Sequence, residues 1–198
     1  MSSPIALLSK TPAAWAERSL AHLPAFLADH AVCELQASVY ALSLVGMYPG
    51  NAVLVDRLSA LAAEELRHFR KVSKEARRHG ASLATKRRNF YVKALRDACR
   101  MQKEPERGLD LLLVAALIEA RSHERFEVLL GFLEEPRLVK LYEELVRAEA
   151  RHGPAYLDLA REHAGDAATQ ARLEELLIVE ARALAGGPGR EVTVHASV

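Results

Sequence analysis

Two histidines in this chain follow a glutamate by three residues, in Glu65-x-x-His68 and Glu149-x-x-His152. Residues three apart share a helix face, so each carboxylate and its imidazole can aim at one point. Each pair is preceded by a lone glutamate in apolar or small company. Glu34 shares a face with Leu27, His30, Ala31, Ala37, Ser38 and Ala41, and Glu119 follows the apolar run Leu111–Ile118. Glu34 precedes Glu65 by 31 residues and Glu119 precedes Glu149 by 30, so the arrangement occurs twice. One Glu-x-x-His pair alone reads most simply as a surface ion pair; the duplicated spacing does not. Buried carboxylates without counter-charges cost several kcal/mol apiece, and a pair of divalent cations offsets that cost. The competing reading is a buried salt-bridge network.

A lone Glu and a Glu-x-x-His, each supplied twice by facing helices, is the donor pattern of di-iron and di-manganese carboxylate bundles. Carboxylate and imidazole without thiolate suit iron or manganese better than copper(I) or structural zinc. His30 and His123 lie one turn from Glu34 and Glu119, as hydrogen-bond donors to them, extra ligands, or ordinary buried histidines. Tyr156 reads as a packing or hydrogen-bonding residue, with a radical site as the alternative, and Cys33 reads as packing.

Positioning these groups requires long helices, and helical periodicity runs through nearly the whole chain. Thr11-Pro12 opens a short helix to about Leu20. A long helix from about Pro24 ends at Tyr48 before Pro49-Gly50, and Asn51 caps another that stops at Gly80. A fourth spans roughly Thr85 to Met101, a fifth runs from about Gly108 to Phe132, and a sixth from Pro136 to Ala164 has a kink at Gly153-Pro154. Asp166 caps a C-terminal helix over about 166–184, and a flexible tail covers about 186–198. Two hairpins, 24–79 and 108–164, joined by a crossover over about 80–107, describe an all-α, ferritin-like four-helix bundle with a long helical crossover and additional terminal helices. The expectation is a single domain over 1–198 with its core bundle over about 24–164.

Composition agrees. Half of the 198 residues are hydrophobic, 27% are charged and the net charge is +1, which excludes a disordered or collagen-like chain. Cys33 and Cys99 form no Cys-x-x-Cys, so no disulfide framework or zinc ribbon is encoded. The longest apolar run has 8 residues, far short of the ~20 that span a bilayer, and the first ten residues do not read as a secretory signal. A cytoplasmic setting without membrane association is expected. The charge is nevertheless segregated: Arg67–Arg107 carries +10 and the remainder −9. Lys86, Arg87 and Arg88 come first as phosphate contacts, with Arg77, Arg78 and Lys93 beside them and Phe90 and Tyr91 interleaved for stacking on a base. An ordinary solvated helix face is the alternative.

Four strings carry a family resemblance over nearly the whole chain: Asp29-His30-Ala31-Val32-Cys33-Glu34, Ala63-Glu64-Glu65-Leu66-Arg67-His68-Phe69, Ile118-Glu119-Ala120-Arg121-Ser122-His123-Glu124-Arg125-Phe126, and Ala148-Glu149-Ala150-Arg151-His152. The chain resembles the tRNA hydroxylases acting on 2-methylthio-N6-isopentenyladenosine beside the anticodon, which are ferritin-like, non-haem di-iron monooxygenases. The resemblance implies Glu34, Glu65, His68, Glu119, Glu149 and His152 as ligands of two irons, O2 as co-substrate, tRNA as partner, and hydroxylation of the isopentenyl side chain. Two electrons are needed. The sequence shows neither rubredoxin-like cysteine pairs nor a Gly-rich dinucleotide fingerprint, so an external electron-transfer protein, such as a ferredoxin-like reductase system, is expected. The alternatives are a ferritin-like iron-storage or peroxide-detoxifying protein and a metal-free helical adaptor for RNA. The oligomeric state is not legible from the sequence.

Overall fold

The computed structural model describes residues 5–83, 89–186 and 192–196, and every regular element among them is a helix. In chain order they are α1 (Ala13–Ala21), α2 (Leu23–Met47), α3 (Ala52–Arg78), α4 (Phe90–Asp97), α5 (Glu106–Leu130), α6 (Pro136–Ala164) and α7 (Asp166–Ala185). No helix among the described residues is long and apolar enough to cross a membrane.

The chain groups into two compact units. One contains α2 and α3 with residues 192–194; the other contains α4 to α7 with the residues before Glu17 and the chain from His195 onward. In the first unit α2 and α3 pack together as a hairpin. Pro24 lies in the first turn of α2, where its missing N–H costs nothing. The short connection through Pro49 and Gly50 leads to Asn51, whose side chain accepts from the Leu54 amide at 3.1 Å and caps α3. At the far end, Gly80 takes φ 77°, its amide bonds the Arg77 carbonyl at 3.1 Å, and the Ala81 amide bonds the Ala76 carbonyl at 2.9 Å. That double closure needs a left-handed residue, which glycine supplies without strain.

In the second unit α5 and α6 form the matching hairpin, with α7 packed against both. Pro136 opens α6, and the helix runs unbroken through Gly153-Pro154. A Cβ on Gly153 would lie 3.4 Å from the Ala116 carbonyl oxygen and 3.6 Å from the Ala120 nitrogen, so the glycine lets α6 lie close against the α5 backbone. Leu112, Leu113, Leu117, Leu129, Tyr142 and Leu145 are fully buried, each such side chain stabilising the fold by about 1.5–3 kcal/mol relative to exposure.

Several expectations are corrected. The fourth helix is shorter than 85–101: Asn89 accepts from the Val92 amide at 3.0 Å and starts it at Phe90, and it ends at Asp97. α5 begins two residues before Gly108, with Glu106 in its first turn, where negative charge suits the helix dipole. Asp166 opens α7 but makes no capping bond; Gly165, at φ 84°, precedes it. The segment read as a flexible tail contains a packed return: Val194, His195 and Ala196 are all buried.

Candidate metal centre

In the first unit, Glu34 on α2 and Glu65 and His68 on α3 each place a donor atom within 4.8 Å of one another. All three are 4% exposed or less. His68 Nδ1 sits 3.5 Å from Glu34 Oε2 and 3.4 Å from Glu65 Oε2. Burial alone would lower the His68 pKa, but bonding and charge from Glu34 and Glu65 outweigh it and raise the pKa to about 10. Without metal, this imidazole is the proton-bearing countercharge of two carboxylates. The other oxygen of Glu34, Oε1, is 2.5 Å from His30 Nε2, and His30 is wholly buried. One turn further along α2, Ser38 Oγ donates to the Ala62 carbonyl at 2.8 Å and fixes α2 against α3 beside these residues.

The second unit repeats the arrangement. Glu119 on α5 and Glu149 and His152 on α6 bring donor atoms within 4.8 Å of one another, and all are 5% exposed or less. His152 Nδ1 lies 3.6 Å from Glu149 Oε2. Among the described residues that buried Oε2 accepts no hydrogen bond. A buried acceptor left so costs about 1–3 kcal/mol, more when charged, which a cation would relieve. Each set of two carboxylates and one imidazole therefore fits a hard or borderline divalent metal.

His30 donates to or accepts from Glu34, whereas His123, equally buried, has Nδ1 3.7 Å from Glu127 Oε2 instead. Tyr156 is buried. Cys33 Sγ lies 3.8 Å from Asp29 Oδ2.

Sequence reading missed the polar cluster that grips α5 just past Glu119. Arg121 and Glu180, both without exposed surface, pair through Nε at 2.8 Å and Nη2 at 3.1 Å. Arg121 also bonds Glu124 and the Ser9 carbonyl, and Thr11 donates to Glu124 through its amide at 2.7 Å and its hydroxyl at 2.6 Å. Tyr91 donates to Glu180 at 3.1 Å; burial and then the Glu180 charge push its phenol well above the ordinary pKa. His195 stacks on Tyr91 and pairs with Ser122 Oγ at 3.1 Å, while Arg125 donates to the Ala196 carbonyl at 2.6 Å and lies over the Trp15 ring. The available signal was the pair Arg121 and Arg125, four residues apart on a helix continuing an apolar run.

Of the candidate phosphate contacts, Lys86, Arg87 and Arg88 lie outside the described residues. Arg77 donates to Ser73 Oγ at 2.8 Å, Arg78 pairs with Glu75, and Lys93 pairs with Asp97. Each pair lies within one helical turn; Lys93 and Asp97 are both exposed and hold each other weakly, whereas Ser73 and Glu75 are buried beneath their exposed arginines. Phe90 is exposed, but Tyr91 is buried against Glu180, so of the two aromatics only Phe90 offers a face to a base.

A family model described as tRNA-(MS[2]IO[6]A)-hydroxylase (MiaE) matches residues 3–196. A Pseudomonas putida protein named tRNA 2-(methylsulfanyl)-N(6)-isopentenyladenosine(37) hydroxylase is 39% identical over 188 residues, covering 95% of this chain and 90% of its own. A Salmonella typhimurium protein of the same name is 30% identical over 237 residues, covering 95% and 86%. Among solved structures, one titled "Protein 43 with aldehyde deformylating oxygenase activity from Synechococcus" has a TM-score of 0.90 at 37% identity and covers 96% of this chain and 95% of its own. The fold is thus of the all-α, ferritin-like class that the helix order suggested.

Proposed function

Because the chain belongs to the tRNA-(MS[2]IO[6]A)-hydroxylase family, we propose that it hydroxylates the isopentenyl side chain of 2-methylthio-N6-isopentenyladenosine beside the anticodon of tRNA. The observation that carries the reading is the duplicated set of buried donors, Glu34, Glu65 and His68 in one hairpin and Glu119, Glu149 and His152 in the other, in a chain 39% identical to a protein named for that activity. In this reading the two sets serve one dinuclear centre, and the chain works as a single domain. Two irons, when bound, would supply the dioxygen activation that hydroxylation of an allylic C–H bond requires.

The chain's own residues have definable tasks. Four carboxylates match the four positive charges of two divalent ions. His68 must release the proton that Glu34 and Glu65 hold on it in order to become a ligand. His30 fixes one oxygen of Glu34, leaving the other on the His68 side. Burial of all six side chains keeps bulk water from the reacting centre. The stoichiometry is one C–H bond and one O2, with two electrons and two protons giving the alcohol and water. The electrons come from an external electron-transfer protein, because Cys33 and Cys99 stand apart and the sequence shows no cofactor-binding glycine motif. The working compartment is the cytoplasm.

Iron storage, the alternative considered, is not favoured by relatives named as hydroxylases. The test is mass spectrometry of tRNA nucleosides from cells with and without the gene. Loss of the hydroxylated nucleoside, with accumulation of its unhydroxylated precursor, is expected. Identical nucleoside profiles would refute the assignment.

A further inference from the structure

Every exposed residue of α3 from Arg67 to Arg78 is basic: Arg67, Arg70, Lys71, Lys74, Arg77 and Arg78. Their spacing of three and four residues aligns them in one stripe, about 16 Å long at 1.5 Å per residue. His68, Val72, Ser73, Glu75 and Ala76 occupy the buried face of the same stretch. The helix that carries Glu65 and His68 thus turns those donors one way and an unbroken row of cations the other.

Helix stability does not account for the row. Exposed helix faces usually alternate sign, so that neighbours three or four apart attract. Here Arg67 with Lys71, Arg70 with Lys74, and Lys74 with Arg78 all repel. Arg77 and Arg78 sit in the last turn, where positive charge suits the helix dipole, but Arg67, Arg70 and Lys71 lie beyond its reach. Arg78 pairs with Glu75 and Arg77 with Ser73. Among the described residues, no side-chain hydrogen bond or ion pair engages Arg67, Arg70 or Lys74. Exposed and mutually repelling cations in a row, with Arg67, Arg70 and Lys74 held by no side-chain partner among the described residues, are what a phosphate backbone requires.

We propose that this stripe of α3 is the docking surface for the phosphate backbone of the tRNA substrate; the inference rests on the functional reading above. A row of this length can meet several successive phosphates of one strand. Arginine forks bond phosphate oxygens two at a time, and the lysines add mobile point charges. Such contacts set the register of the RNA and its rate of arrival without reading sequence.

The test is the full-length, iron-loaded triple variant Arg67→Gln, Arg70→Gln, Lys74→Gln, compared with the wild type. Binding to tRNA carrying the modified adenosine is measured over a salt series, and turnover is measured on that tRNA and on the free modified nucleoside. The slope of log affinity against log salt should become shallower by about 2 to 3. KM for tRNA should rise roughly tenfold or more, with kcat at saturating tRNA and turnover of the free nucleoside retained. Relief of like-charge repulsion should leave the melting temperature no lower than that of the wild type. An active variant with wild-type slope and KM would overturn the proposal, as would equal losses on tRNA and nucleoside. If the wild type hydroxylates neither substrate while the variant still shows the shallower slope, the surface stands and the functional reading falls.

Discussion

Replacing Glu180 by alanine should be among the most damaging changes available outside the candidate ligands. The side chain is fully buried and accepts from Arg121 Nε at 2.8 Å, Arg121 Nη2 at 3.1 Å and the Tyr91 hydroxyl at 3.1 Å. Removing one partner of a buried ion pair typically costs about 3–5 kcal/mol, because the surviving charge is left desolvated. Arg121 retains Glu124 and the Ser9 carbonyl, which places its share near about 3 kcal/mol. The stranded Tyr91 hydroxyl adds about 1 kcal/mol or more. A total near 4 kcal/mol, at roughly 2–4 °C per kcal/mol for a chain of this length, lowers the melting temperature by about 8–16 °C. Urea unfolding of wild type, Glu180→Ala and Glu180→Gln measures it, the glutamine variant keeping an acceptor while removing the charge. Arg121→Met with Glu180→Leu should recover most of the loss, since a packed apolar pair replaces a buried ionic one at little cost. A loss below about 1 kcal/mol in Glu180→Ala would show that solvent reaches Arg121, and the account of a buried clamp on α5 would be wrong.

Purified protein should hold about two irons per chain, and Glu65→Ala with Glu149→Ala should abolish dinuclear binding; full occupancy measured by metal analysis would remove both residues from the ligand set. Iron at a hundred times its dissociation constant should stabilise the fold by about 2.7 kcal/mol, or roughly 5–11 °C in melting temperature, and matched melts of metal-free and loaded protein check it. Asp110 supplies the pH dependence. Burial works to raise its pKa, but bonds from Arg100 and Arg172 outweigh burial and hold it below the ordinary carboxylate value. A depressed folded-state pKa contributes stability above the unfolded value of about 3.9, and that contribution disappears as pH falls through the folded value. Urea stability measured from pH 6 to pH 2 should therefore fall more steeply in the wild type than in Asp110→Asn; parallel curves would contradict the assignment.

What was legible in the sequence is what local rules determine. Pro136 opens α6, and Asn51 and Gly80 bound α3, because caps and left-handed turns are decided within four or five residues. The Glu-x-x-His pairs belong to the same category, since i and i+3 meet on any helix. The fourth helix was misplaced because a basic run without Gly or Pro reads as helix, while the Asn89 cap that starts it at Phe90 is a single residue. The α5 clamp was illegible for a different reason. Arg121 meets Glu180 across 59 residues and Ser122 meets His195 across 73, and periodicity shows which face is buried without naming its partner. The polar return at Val194-His195 likewise looked like a tail because its burial depends on contacts with Asp29, Tyr91 and Ser122.

The two halves repeat their donors but not the neighbours of those donors, and one local rule explains the difference. Helical side chains lean toward the N-terminus, so a glutamate meets the residue four before it. Glu34 Oε1 lies 2.5 Å from His30 Nε2, and Glu127 Oε2 lies 3.7 Å from His123 Nδ1; both pairs have the His-x-x-x-Glu spacing. Four residues before Glu119 stands Ala115, so Glu119 lacks the histidine at i−4 that Glu34 has in His30. His123, although one turn from Glu119, has its Nδ1 3.7 Å from Glu127 Oε2 on its other side. The two irons of the proposed centre should then respond differently to loss of these histidines. His30→Ala releases the oxygen of Glu34 that His30 fixes, and loss of such a supporting partner typically costs 10–100-fold in metal affinity. His123→Ala removes a group that touches no candidate ligand in the contacts described. Iron titrations with Mössbauer spectra should therefore show His30→Ala weakening one iron of the pair and perturbing its signal, while His123→Ala leaves both irons in place. Equal effects of the two substitutions, or a larger one at His123, would place His123 beside a ligand and break the asymmetry argued from the direction in which helical side chains lean.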